Sequence, residues 1–190
     1  VSDSQGGIHS EQGLDIDAVA AFKAEHGTVV GMPDTLTITN AELLELECDI
    51  LVPAALECQV TESNAGDVRA SLIVEAANGP LTAAADRVLS RKGVVVLPDI
   101  LANAGGVVVS YFEWVQNLQN QKWSLDKVER LLNEKMCRAV DETVDRYDSL
   151  MGRYENGLNA DSTVPTLRDA ALANAITRIA TVIVQRDVWP

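Results

Sequence analysis

Four polar side chains in this 190-residue chain stand where apolar runs stop or where a helix opens, and their types suit the binding of a polar organic ligand. Asp3 lies in "VSDS", Asn78 in "EAANGP", Asn103 in "PDILANAGG", and Ser110 follows three valines. A carboxylate closing the second strand of a dinucleotide-binding fold accepts hydrogen bonds from the adenosine ribose hydroxyls. An aspartate ahead of Gly6 and Gly7 also suits a plain turn, and both readings of Asp3 are open. Asn78 directly precedes Gly79, and Asn103 stands just before Gly105 and Gly106. Turn formation accounts for either asparagine alone. Two at adjacent strand ends can offer amide donors and acceptors to a carboxamide or to an amino acid. Gly105 and Gly106 either let a ligand approach the backbone closely or allow tight helix packing. The Ser110 hydroxyl sits on an otherwise valine-lined surface, although a lone serine commonly bonds back to its own helix.

These residues need elements to hold them. Residues 1–4 read as the end of a strand. Asp15 caps a helix over "DIDAVAAFKAEHG" that Gly27 stops, and Thr39 or Asn40 caps a short helix in "TNAELLELE". "CDILVPAA", "ASLIVEAANGP" and "VVVLPD" read as strands, stopped by Pro53, by Asn78 to Pro80, and by Pro98. They are continuous apolar runs, as a parallel sheet covered on both faces requires. An amphipathic helix, "TAAADRVLSRKG", ends at Gly93. Strand and helix alternate, so the expected fold class is α/β: a partial doubly wound, Rossmann-like, mostly parallel sheet, followed by a C-terminal helical segment. In such sheets ligands bind at the carboxyl ends of strands. Here those ends carry "VSDS", "PAALE", "EAANGP" and "PDILANAGG", which together define a rim. No G-x-G-x-x-G occurs, and that fingerprint belongs about 20 residues ahead of the ribose acid. The first strand and its glycine turn are therefore expected to be missing. Beyond Asp99 the chain reads as helical, with a loop over 152–165. The last helix, over 167–184, is apolar on most sides and is expected to be buried all round.

Composition excludes several classes. A net charge of −13 repels nucleic acid. A hydrophobic fraction of 47% is too high for disorder. No apolar run reaches about 18 residues, so no membrane span is expected, and no secretory signal is visible. Cys48, Cys58 and Cys137 are widely spaced and odd in number; with His9 and His26 they form no zinc pattern, so no metal site is expected. Free thiols suit a cytoplasmic location. His9 and His26 read as loop or helix-end residues rather than catalysts. The start at Val1 reads as a fragment or a processed remainder.

At "VSDSQGGIH", "HGTVVGMP", "CDILVPAALE", "EAANGP", "PDILANAGGVVVSYFEWVQN" and "LRDAALANAITRIA" the chain resembles the glutamate dehydrogenases, within the wider glutamate/leucine/phenylalanine/valine dehydrogenase family. The resemblance covers essentially all 190 positions and only the later part of a family member. It implies oxidative deamination of L-glutamate to 2-oxoglutarate and ammonia with NAD, NADP being possible, in a homo-hexamer. It implies that Asp3 binds the adenosine ribose and that Pro53, Ala54 and Ala55 lie along the cofactor. Asn78 would contact the nicotinamide, and Asn103 both the nicotinamide and the amino acid. Ser110 would approach the substrate side-chain carboxylate, with Val107 lining that pocket. "SYFEWVQN", residues 110–117, resembles the glutamate enzymes more than those for branched-chain amino acids or phenylalanine. The family's acid–base lysine and aspartate match no position here, so no catalytic residue is assigned and the chain alone is expected to be inactive. The implied division is a truncated NAD-binding domain over 1–118 and helices over 119–190 that pack toward a substrate domain. Ala76 replaces a usual glycine and would crowd the cofactor if its φ were positive; Val108 replaces a common threonine. Residues 1–13 contain no Lys or Arg, which favours NAD over NADP. The alternatives are a non-catalytic binding fragment, or a dehydrogenase for an apolar amino acid, against which Ser110 argues.

Overall fold

A computed structural model describes residues 1–158 and 163–186. The chain forms two compact units, residues 1–49 with 67–70, and residues 50–66 with 71–190.

The first unit holds strands β1 (Ser2–Asp3), β2 (Gly6–His9) and β3 (Leu36–Ile38) and helices α1 (Ile16–His26) and α2 (Asn40–Leu44). Its strands pair antiparallel in the order β1-β2-β3, Asp3 facing Gly6 and Gly7 facing Ile38. The sequence reading anticipates a mostly parallel sheet and not this antiparallel one: "GGIH" and "LTI" are short, lack an apolar run, and pair only because the chain folds back on itself. The glycines belong to β2, not to a turn. A Cβ on Gly7 would lie 3.1 Å from Ile38 Cγ1 and 3.2 Å from Leu43 Cδ1, so a glycine there lets α2 close down on β2. The helix ends follow the sequence. Asp15 accepts from the backbone N–H groups of Asp17 and Ala18, and Gly27 ends α1 in the left-handed conformation at φ 76°. Thr39, rather than Asn40, caps α2 in a reciprocal capping box with Glu42. Ile8, Val19 and Val29 form the core.

The second unit holds β4 (Ile50–Leu51), β5 (Leu72–Val74) and β6 (Val95–Leu97), parallel and in that order. Helix α3 (Ala83–Arg91), capped by Thr82, connects β5 to β6. The short α4 (Asp99–Ala102) leads directly into α5 (Ala104–Leu118), then α6 (Leu125–Glu155) and α7 (Leu167–Gln185). Helix α6 runs past Gly152, so residues 152–155 of the expected loop are helical, while residues 159–162 lie outside the described residues. The side chain of Asn156 donates to the Gly152 carbonyl at 2.6 Å and closes the helix. Helix α7 departs from its expected burial. Among its described residues only Ala170 is buried, and Ile176, Ile179 and Val184 are exposed. One side of α7 packs on α6. The helix also touches β6 and α4 within the second unit.

Candidate functional site

The parallel sheet places the carboxyl ends of β4, β5 and β6 along one edge. Beyond β4, Pro53 is buried and its carbonyl accepts from Ala76 N (3.1 Å) and Ala77 N (2.9 Å). That pins the end of β5 beside the end of β4 and leaves Ala54 and Ala55 exposed. Ala76 has no positive φ, so its methyl brings no backbone strain. Beyond β5, Gly79 turns the chain at φ 55°, a conformation a glycine adopts without penalty. Beyond β6, Pro98 cannot donate and opens α4, while the Asp99 carboxylate receives Gly79 N–H at 2.8 Å. The turn after β5 is thereby tied to the helix after β6.

Asn103 ends α4 and starts α5, with φ −89° and ψ −5°, yet its side chain caps neither helix. Its Nδ2 donates instead to the Ala77 carbonyl (3.2 Å) and to Asn78 Oδ1 (3.1 Å). Asn103 Oδ1 and Asn78 Nδ2 have no partner among the described residues. The pair thus offers one acceptor and one donor at the sheet edge, the complement of a primary carboxamide. From Asn103, Val107 and Ser110 follow at four and seven residues, on one face of α5. Val107 is 73% exposed. The Ser110 hydroxyl donates to the Gly106 carbonyl at 3.0 Å, the back-bonding expected of a lone helical serine. A Cβ on Gly105 would make only ordinary contact with Leu132, at 3.8 Å, and one on Gly106 would meet nothing, so helix packing does not require either glycine.

Asp3 belongs to the first unit and is occupied by its own chain. Oδ1 accepts from Gln5 N (2.9 Å) and Thr28 Oγ1 (3.3 Å); Oδ2 accepts from Val29 N (2.9 Å) and Lys23 Nζ (3.3 Å). These fill the roughly four acceptor positions of a carboxylate. The side chain is 7% exposed. The N–H groups of Gln5 and Val29, ahead of Lys23 and Thr28, hold its carboxyl at about 2. A cation does stand beside Asp3, Lys23 at 3.3 Å. It comes from α1, outside the stretch 1–13.

A second polar cluster escaped sequence reasoning. Arg168, in the first turn of α7, donates to Glu75 Oε1 (2.6 Å), Asp86 Oδ2 (3.2 Å) and Asp99 Oδ1 (3.0 Å). The Glu75 side chain is 0% exposed and that of Arg168 is 22% exposed. Burial pushes the Glu75 and Asp86 carboxyls up, and Arg168 pulls them only part of the way back. At Asp99 burial acts in the same direction, but the N–H groups of Gly79 and Ile100, with Arg168, outweigh it and hold the carboxyl low. The available signal was a glutamate ending the apolar run "SLIVE", which must find a partner once buried.

The sequence pattern described as "Glutamate/Leucine/Phenylalanine/Valine dehydrogenase" matches residues 1–186. The chain belongs to the glutamate/leucine/phenylalanine/valine dehydrogenase family. It is 47% identical over 190 residues to the glutamate dehydrogenase of Thermotoga maritima, covering 100% of this chain and 42% of that protein. It is 47% identical over 191 residues to NADP-specific glutamate dehydrogenase A1 of Halobacterium salinarum, covering 100% and 43%. Among solved structures, a hetero-hexameric glutamate dehydrogenase from Thermus thermophilus, in a leucine-bound form, superposes with a TM-score of 0.81 at 32% identity, over 98% of this chain and 41% of that one. This family member thus spans less than half the length of the relatives it matches. Among the described residues, no helix is long and apolar enough to cross a membrane, and no group of His, Cys, Asp or Glu could hold a metal ion.

Proposed function

We propose that the chain is the nicotinamide-dinucleotide-binding part of an amino-acid dehydrogenase that deaminates L-glutamate oxidatively to 2-oxoglutarate and ammonia. The observation that carries this reading is the Asn78–Asn103 pair, with a free amide donor and a free amide acceptor at the carboxyl edge of a parallel sheet. The nicotinamide supplies hydride acceptance. The chain's own residues bind and orient: the asparagines hold the carboxamide, Pro53 to Ala55 lie along the dinucleotide, and Asp3 accepts a ribose hydroxyl in exchange for one of its present contacts. Asn103, Val107 and Ser110 face the amino acid. The one proton of Ser110 goes either to the Gly106 carbonyl or to the substrate carboxylate, so binding glutamate exchanges one for the other. Residues 1–118 form the dinucleotide part, and the helices over 119–190 complete it and face a substrate domain. The acid–base groups have no counterpart in these 190 residues, which alone do not turn over glutamate. The working assembly is a cytoplasmic homo-hexamer. NAD is preferred over NADP, because the Asp3 carboxylate opposes a 2′-phosphate more than the half-exposed Lys23 attracts it.

The test is a chimera in which residues 1–190 replace the matching stretch of the Thermotoga maritima relative. Glutamate-dependent reduction of NAD is the expected result. A folded chimera that binds neither dinucleotide would refute the reading.

A further inference from the structure

Arg168 does more than join charges. Its three donating nitrogens reach three carboxylates from three elements: Glu75 at the end of β5, Asp86 on α3, and Asp99 at the start of α4. Two of these lead on to the asparagine pair. Glu75 holds Arg168 through Oε1 and receives Asp99 N–H through Oε2 at 2.6 Å. Asp99 holds Arg168 through Oδ1 and Gly79 N–H through Oδ2 at 2.8 Å. Gly79 follows Asn78 directly, and Asn103 N–H bonds to the Asp99 carbonyl at 2.8 Å. Arg168 is therefore two hydrogen bonds from the turn that carries Asn78, and Asp99 serves both asparagines. Asp86 is the arm with no such continuation.

We infer that Arg168 is a positioning residue for the Asn78–Asn103 amide pair, setting the orientation of Glu75 and Asp99 and through them the two turns that present the amides. This rests on the reading of that pair as the carboxamide contact. Three carboxylates around one guanidinium is a poor way to gain stability, since apolar packing of similar volume commonly does as well or better. What a guanidinium offers is direction: a planar fork whose donors fix the rotation of each carboxylate that it meets. Lysine keeps the charge but offers a compact ammonium in place of the fork. The backbone N–H groups of Gly79 and Asp99 then give the amide turns a fixed seat. The expected consequence of losing the fork is misplacement of the nicotinamide rather than loss of the whole dinucleotide, because the contacts proposed at Asp3 and at Pro53 to Ala55 do not run through Arg168.

The test uses the chimera and compares the arms. Arg168→Lys and Asp99→Asn act on the path to the amides; in the latter, one amide oxygen cannot replace two carboxylate oxygens. Asp86→Asn acts on the arm that leads nowhere. Each is measured at a temperature where circular dichroism shows it folded. Arg168→Lys and Asp99→Asn are expected to slow hydride transfer on the order of 10- to 100-fold, as misplacement by about an ångström does, and to raise the isotope effect with α-deuterated glutamate. Asp86→Asn is expected to lower the melting temperature while leaving KM for NAD and the isotope effect unchanged. If Arg168→Lys does not fold, Asp99→Asn carries the same comparison. Folded path variants with unaltered kcat, KM and isotope effect overturn the inference, and so does an Asp86→Asn enzyme altered in the same way as they are. Asn78→Ala and Asn103→Ala separate the two levels. If they impair NAD use and the path variants do not, the positioning role alone fails. If they change nothing, the reading of the pair fails and the inference with it.

Discussion

Replacing Arg168 by methionine removes the cation from a cluster of three carboxylates, one of them fully withdrawn from water. Among the described residues Glu75 then keeps only Asp99 N–H, and its charge is left without a cation in the interior. Breaking a buried ion pair from one side costs about 3–5 kcal/mol. Glu75 has an escape, because it can take up a proton. Holding a carboxyl of ordinary pKa 4.5 neutral at pH 7 costs about 1.4 kcal/mol per pH unit over 2.5 units, roughly 3.4 kcal/mol. The expected loss at pH 7 is therefore about 3 kcal/mol, at the lower end of the range. The loss has a pH signature. Burial already holds the Glu75 carboxyl up in the parent, and losing Arg168 removes part of what pulls it back, so the penalty is least below pH 4.5 and grows as pH rises. The penalty is therefore expected to be smaller at pH 5 than at pH 7. Urea unfolding followed by tryptophan fluorescence, from Trp114 and Trp123 in the second unit, measures it at both pH values. A penalty below about 1 kcal/mol at pH 7, or one independent of pH, would refute the placement of Arg168 as the partner of a buried charge.

Asp3, held at about 2 in the folded chain, supports the first unit fully above its ordinary 3.8, and that support is lost as pH falls from 3.8 through about 2. Hydrogen exchange at Ile8 and Val29 is expected to accelerate over that window in the parent and to be insensitive to it in Asp3→Asn. Ser110→Ala in the chimera should lower catalytic efficiency with glutamate by about 10- to 100-fold, the worth of roughly 1.5–3 kcal/mol for a hydrogen bond to a carboxylate; unchanged efficiency marks Ser110 as a helix residue only. The chimera should use NAD better than NADP. Asp3→Ser should narrow the difference and Lys23→Ala widen it, as steady-state kinetics with both cofactors will show.

The parallel strands were legible because "ILV", "LIV" and "VVVL" are unbroken apolar runs followed within a few residues by proline or Asn-Gly, a signal that depends on local composition alone. The caps Asp15 and Thr39 and the stop at Gly27 were legible for the same reason. Strands β2 and β3 were not, since two glycines and a short "LTI" carry little strand preference and their pairing is a property of the folded chain. The candidate site was legible as residue types: Asn78 and Asn103 were singled out, and the structure brings their amides to 3.1 Å. The hidden parts are long-range pairings. Lys23 reaches Asp3 across 20 positions and Arg168 reaches Glu75 across 93, and no local window contains both partners. The apolar sequence of α7 shows what the helix would bury, not whether a surface is there to receive it, and in the structure Ile176, Ile179 and Val184 are exposed.

Binding of NADH, set against ADP-ribose, tests the central claim most directly, because the two ligands share the adenosine, both phosphates and the second ribose and differ by the nicotinamide. In the chimera, the double substitution Asn78→Ala with Asn103→Ala should weaken NADH by about 1–3 kcal/mol, two hydrogen bonds at about 0.5–1.5 kcal/mol each, and leave ADP-ribose unchanged. Equal weakening of both ligands, or of neither, would contradict the assignment of this amide pair to the nicotinamide.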